Sequence, residues 1–203
     1  RLKEVATDLI SHYEQRSKTQ PGKAIVVGMS RDICALLYKT IVALRPDWHD
    51  PDHMKGAIKV VMTASASESK LLQPHHTSKQ QKKDLENRFK DPADPLKIVL
   101  VRDMWLTGFD APCLATMYVD KPMKGANLAQ AIARVNRVFR DKPGGLIVDY
   151  IGIAPQLKEA LATYTAAKGK GRPTLDTSEA VRILKEEIQT AKDILHPVDW
   201  SGF

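Results

Sequence analysis

Arg134 and Arg137 stand three residues apart, and Gln130 lies one turn before Arg134. On a helix that spacing puts both guanidinium groups and the amide on one face. Paired guanidiniums form a bidentate receptor for phosphate oxygens. A guanidinium aimed at a transferring γ-phosphoryl group stabilises its charge, the arginine-finger role. A second stretch, Val101-Arg-Asp-Met-Trp-Leu-Thr-Gly-Phe-Asp-Ala-Pro112, offers a different pair of tools. Gly108 lets the backbone approach a ligand closely, and the Asp110 carboxylate accepts hydrogen bonds from a sugar hydroxyl. The charge distribution agrees with an anionic partner. Lys plus Arg is 31 against 24 Asp plus Glu, a net +7. After Tyr150 there are seven basic and seven acidic residues, so the whole excess lies in residues 1–150. From Lys121 to Arg140 there are five basic residues and no acidic one, which suits a phosphate, a nucleotide or a nucleic-acid backbone.

Alternating elements must position these groups. Residues 1–18 carry Leu2, Val5, Leu9, Ile10 and Tyr13 on one helical face, and Pro21-Gly22 ends that helix. Residues 23–28 read as a buried strand, and Ser30 caps a helix whose inner face is Ile33, Leu36, Leu37 and Ile41. Further strands are expected at 58–62, 97–101, 115–119 and 145–149, with loops at 46–51, 63–77 and 91–95. Helices are expected from Ser78 to Phe89, over 125–139 and over 153–167. Alternating short apolar strands and helices predict an α/β fold, a parallel sheet with helices on both faces that binds ligands at the C-terminal ends of its strands. A basic linker at 168–173 and an amphipathic helix at 177–195 follow, the latter with an apolar face suited to packing on another part of a larger protein. A chain that starts at Arg1 is itself expected to be a piece of something longer.

The motifs, taken together, resemble a known family. Gln130-x-x-x-Arg134-x-x-Arg137 resembles motif VI of superfamily 2 helicases and translocases, and Thr107-Gly-Phe-Asp-Ala-Pro112 resembles their motif V. Leu-Thr-Gly-Phe-Asp-Ala-Pro, then Gln-Ala-Ile-Ala-Arg-Val-Asn-Arg, then Val-Asp-Tyr-Ile-Gly152, is most similar to the motor (R) subunit of type I restriction enzymes, over residues 23–165. The resemblance implies a second RecA-like lobe of the P-loop NTPase type, residues 1–152, with a helical extension over 153–203. It implies an ATP-dependent double-stranded DNA translocase within a type I site-specific deoxyribonuclease. Gly108 would lie near the phosphates and Asp110 near the ribose, and Arg134 and Arg137 would reach phosphates held by an upstream lobe, with Arg137 as the finger. Gln130 would orient groups around the γ-phosphate. Residues 23–30 are similar to motif IV, so Ser30, Arg31, Thr63 and Arg102 are expected to contact the DNA backbone. Arg102 stands where relatives often have Thr, and an ion pair with Asp103 is the structural alternative.

Missing features sharpen this reading. The chain has no G-x-x-x-x-G-K-[ST] phosphate loop and no Asp-Glu pair after a strand for Mg²⁺. ATP and Mg²⁺ would therefore be bound mainly by an upstream lobe of the same polypeptide, and the fragment alone is expected not to hydrolyse ATP. Methyltransferase and specificity subunits are the further partners implied. Another superfamily 2 DNA helicase or repair translocase is an alternative, as is a non-catalytic nucleotide- or nucleic-acid-binding module. Asp52 with Glu68 and Lys70 imitates a nuclease metal site, and His49 with His53 has metal-like spacing. Both are read as loop residues, and no metal site is assigned. Cys34 and Cys113 read as buried small residues and Trp105 as a packing residue. The absence of an apolar run near the ~18–20 residues of a membrane span, together with two cysteines, points to a cytoplasmic setting without membrane contact.

Overall fold

A computed structural model describes residues 1–63, 69–106, 108–137, 139, 144–159 and 162. In chain order the elements are α1 (Leu2–Thr19), β1 (Lys23–Gly28), α2 (Arg31–Leu44), β2 (Ile58–Val61), α3 (Lys79–Lys90), β3 (Ile98–Val101), β4 (Leu114–Asp120), α4 (Gly125–Val135) and β5 (Leu146–Asp149). Short 3₁₀ turns at Pro46–Trp48 and Gln73–His75 occupy stretches expected to be plain loop. The five strands form one sheet in the order β2-β3-β1-β4-β5, and every pairing is parallel. All strand C-termini therefore reach one edge, with β1 at the centre, as the RecA-like expectation requires.

The strands alternate between two cores, as the period of two demands. Ile25, Val27, Val99, Val101, Met117 and Val119 pack with Leu85 and Phe89 of α3 and Leu128, Ala131, Ile132 and Val135 of α4. Ala24, Val26, Ile98, Leu100 and Tyr118 pack with α1 and α2 on the other face. Helices thus cover both faces. Ser30 caps α2, its Oγ accepting from the Ile33 N–H at 3.1 Å. The buried face of α2 is Cys34, Leu37, Tyr38 and Ile41, whereas Leu36 is exposed and Ile33 only half-buried. The first turn is held so that Cys34 abuts Gly28, where an added Cβ would lie 2.6 Å from the sulfur. Ser78 forms a full capping box with Gln81 at the start of α3.

The expected helix over 125–139 ends at Val135, with Asn136 as its C-cap. The returning chain blocks its continuation: a Cβ at Gly145 would lie 2.2 Å from the Val135 carbonyl oxygen. Of the expected helix at 153–167, residues 154–159 are helical, and the linker at 168–173 and the helix at 177–195 lie outside the described residues.

Buried charges tie the loops to this frame. Arg88, 4% exposed, pairs with Asp94 at 3.0 Å and donates to the carbonyls of His53, Lys55 and Gly56. It fastens α3 to the loop before β2 and to the turn before β3. Lys23 donates to the Arg88 carbonyl at 2.7 Å, and burial pushes its pKa down. On the opposite face α1 runs against β4: Arg16 bonds Thr116, His12 bonds Tyr118 and Arg1 pairs with the fully buried Asp120.

Candidate functional site

The expected residues fall into two groups, one toward each edge of the sheet. The first lies where the β3–β4 connection and the end of α4 approach the N-terminal edge, since α4 runs back from the end of β4 to the start of β5, where Gly145 meets Val135. The loop after β3 is built on an aromatic stack. Trp105 and Phe109 lie parallel with centroids 4.4 Å apart, and Phe89 packs beside both. Trp105 is 9% exposed, which places it in the core, yet its φ is +66°. A bulky residue in that region is strained, and the stack supplies the packing that holds it. Gly108 has φ +69°, but nothing lies within 4 Å of where its Cβ would be. The backbone conformation alone demands glycine, and the space beside it is open to a ligand.

Asp110 follows this loop and meets Arg137, whose Nη1 donates to Oδ2 at 2.6 Å. Both side chains are nearly half exposed. The second carboxylate oxygen, Oδ1, is buried and has no hydrogen-bond partner among the described residues. Arg137 reaches Asp110 because α4 stops early. It lies two residues past the helix end, so it does not share a helical face with Arg134. Gln130 and Arg134 do share the outward face of α4, opposite Leu128, Ala131, Ile132 and Val135. Gln130 is exposed and Arg134 half-buried, with no hydrogen bond or ion pair to Arg134 among the described residues. Thr107 lies outside the described residues.

The second group lines a cleft of about 360 Å³ at the ends of β2 and β3, bounded by Arg31, Thr63, Arg102, Asp103 and Met104. Arg31 Nη1 donates to the Thr63 carbonyl at 2.9 Å. Arg102 Nε lies 3.4 Å from Asp103, so the ion pair weighed from sequence is present. Lys121, just after β4, also pairs with Asp103 and donates to the Arg102 carbonyl at 3.2 Å. Ser30 directs its oxygen to the α2 cap rather than to this cleft. Sequence reasoning used Lys121 only as part of a basic stretch and did not join it to Asp103. The available signal was that each follows the end of a parallel strand.

Other expectations resolve more simply. His49 bonds Tyr38 at 2.7 Å, and His53 faces Asp84 at 3.3 Å. Among the described residues no group of three or more His, Cys, Asp or Glu is placed to hold a metal ion, and Glu68 lies outside them. Cys34 and Cys113 are both buried, donating to the carbonyls of Val101 and Phe89. Burial pushes the Cys34 thiol up to about 11. A larger cavity, about 620 Å³, lies at the N-terminal edge of the sheet beside Gly22, Lys23, Lys97, Cys113 and Phe139, away from the second group. No helix of the described residues is long and apolar enough to cross a membrane.

Comparison with known proteins gives the same direction. Residues 6–152 match the family model described as type I restriction enzyme subunit R domain 3. A type I restriction enzyme HindI endonuclease subunit from Haemophilus influenzae is 54% identical over 207 residues, covering 100% of this chain and 20% of that protein. The chain thus spans about a fifth of that relative's length. A fragment structure of a putative HsdR subunit of a type I restriction enzyme from Vibrio vulnificus superposes with a TM-score of 0.53 at 20% identity, over 76% of this chain and 28% of that one. The ATP-dependent type ISP restriction-modification enzyme LlaBIII bound to DNA superposes at 0.50 and 17%, over 81% of this chain and 12% of that one. At these identities the two structures show a shared fold.

Proposed function

This chain belongs to the family of type I restriction enzyme subunit R domain 3, and from that premise we propose that it is the second RecA-like lobe of an ATP-driven motor that moves along double-stranded DNA. Arg137 is the arginine finger and Arg134 the second phosphate-binding cation, with Gln130 orienting groups around the γ-phosphate. Gly108 and Asp110 take the phosphate and ribose edges of ATP. Arg31, Thr63 and Arg102 hold the DNA backbone, with Ser30 shaping the turn from β1 into α2 beside them. The observation that carries this reading is the meeting of the two motifs: Asp110 and Arg137, 27 residues apart in sequence, hydrogen-bond at 2.6 Å.

The residues present fit one edge of a nucleotide. Asp110 Oδ1 is a buried acceptor without a partner among the described residues, and the half-buried Arg134 makes no hydrogen bond or ion pair among them. The rest of the site, a phosphate loop and a Mg²⁺ carboxylate, belongs to an upstream lobe, so this part alone turns over no ATP. Bound ATP with Mg²⁺ would supply the γ-phosphoryl group whose transfer drives motion. This chain's share is to hold the sugar through Asp110 and to place guanidinium charge where the departing phosphoryl oxygens gather. In the cleft the protein contacts phosphates rather than bases, so sequence recognition falls to a specificity subunit, with a methyltransferase subunit completing a cytoplasmic restriction-modification assembly.

The test is Arg137→Ala in the full-length subunit. DNA-stimulated ATP turnover should fall by roughly 10³-fold or more while ATP binding stays near the parent value. Unchanged turnover would leave a nucleotide- or nucleic-acid-binding module as the better description.

A further inference from the structure

The cleft of Arg31, Thr63 and Arg102 does not end at Asp103. The same carboxylate also lines a second cleft, about 280 Å³, walled by Leu106, Lys121, Met123, Lys124 and Asn127. Asp103 is therefore a divider with basic residues on both sides. It is 61% exposed, it lies 3.4 Å from Arg102 Nε, and it pairs with Lys121 Nζ on the other side. Lys121 is only 19% exposed and is held further by the Arg102 carbonyl, so its ammonium is fixed at the strand ends rather than waving in solvent. Lys124 is exposed beside it. No acidic residue follows until Asp141, and the next two turns of chain are neutral.

We infer that the two clefts form one phosphodiester-binding tract, in which Lys121 and Lys124 extend the contacts of Arg31 and Arg102, and Asp103 is an internal competitor that phosphate must displace. The inference rests on the DNA reading of the first cleft. Its physical basis is charge exchange. Arg102 and Lys121 already share the Asp103 carboxylate, so binding a phosphate there trades one anion for another instead of filling an empty site. Such an exchange weakens each contact and speeds its release, which a motor that passes from phosphate to phosphate requires. An exposed pair like this contributes little to the fold itself, so its position across a basic tract is better explained by what it does to ligand binding.

The experiment uses the full-length subunit and a labelled 30-base-pair duplex without nucleotide, with Kd measured over a range of salt. Lys121→Ala with Lys124→Ala should weaken binding several-fold and flatten the dependence of log Kd on log salt by about one to two, since each lost phosphate contact removes roughly 0.9 from that slope. Asp103→Asn should tighten binding by about 3- to 10-fold and leave the slope as steep or steeper. Asp103→Glu keeps the competitor and should stay near the parent. Arg102→Ala separates the two levels of the argument. If it weakens binding while the lysine changes do nothing, the extended tract is wrong and the first cleft stands. If neither has an effect, the DNA reading of this edge has failed. If Asp103→Asn binds no tighter although melting shows it folded, the competitor role is overturned.

Discussion

The two groups of candidate residues treat their cations differently. In the cleft at β2 and β3, Arg31 is tied to a carbonyl, and Arg102 and Lys121 share Asp103. At the end of α4, Arg137 is held by Asp110 while Arg134 makes no such contact among the described residues. Both regions belong to one loop: residues 103–110 present Asp103 at one end and Asp110 at the other, with the Trp105–Phe109 stack between them. A rigid aromatic core thus carries a carboxylate to each group. The difference teaches that a cation's distance from its carboxylate in sequence says little about its role. Arg102 is adjacent to its partner and Arg137 is 27 residues away, yet both are half-exposed pairs at the sites proposed to bind phosphate.

The sharpest way to divide the regions is Arg137→Ala, which should abolish turnover and leave duplex binding intact. The next largest effect should strike both regions equally. Arg88→Ala leaves the Asp94 charge and three carbonyls without their donor and should cost about 3–5 kcal/mol of stability, read by denaturant unfolding. If it instead changed one activity selectively at full stability, the frame and the site would not be separable as described. A pH experiment probes the frame alone. His75 is held at about 4, below its ordinary 6.5, by burial and by Lys59, His49 and His76. It is neutral in the fold, so the stability it contributes is present above pH 6.5 and lost as pH falls toward 4. His75→Phe should remove about 1–2 kcal/mol of that acid sensitivity in melts at pH 4.5 against pH 7, allowing for partial exposure. Arg102→Ala should raise the duplex Kd several-fold and reduce its salt slope by about one, without affecting turnover at saturating DNA. The smallest effect belongs to Gly108→Ala. Its φ of +69° costs an alanine about 1 kcal/mol, and nothing in the protein obstructs the methyl group. A rise in the KM for ATP beyond that stability loss would place a ligand against Gly108.

Much of the fold was legible because strand and helix periods differ. The five apolar runs became the five strands within about a residue at each end, and Pro21-Gly22 and the caps at Ser30 and Ser78 marked helix ends correctly. Reading failed where tertiary packing decides. Nothing local stops a helix after Val135, and it is the return of Gly144-Gly145 against that turn that ends it. The same event moved Arg137 off the face of Arg134 and toward Asp110. The buried face of α2 was legible at Leu37 and Ile41 but not at Ile33 and Leu36, where Cys34, packed against Gly28, and Tyr38 take the inner positions instead. The Asp103–Lys121 pair was invisible because it depends on strand order: β1 lies between β3 and β4, and only the parallel register brings the two strand ends to one edge.

The division of labour between the two regions is tested most directly by measuring duplex-stimulated ATP turnover and salt-dependent duplex binding together, in Arg137→Ala and Arg102→Ala forms of the full-length subunit. The account predicts a crossed result. Arg137→Ala should lose turnover and bind DNA normally, and Arg102→Ala should bind DNA weakly and recover turnover when DNA is raised to saturation. If both substitutions depress the same quantity, or if Arg137→Ala turns over ATP at the parent rate, the assignment of the two regions is wrong.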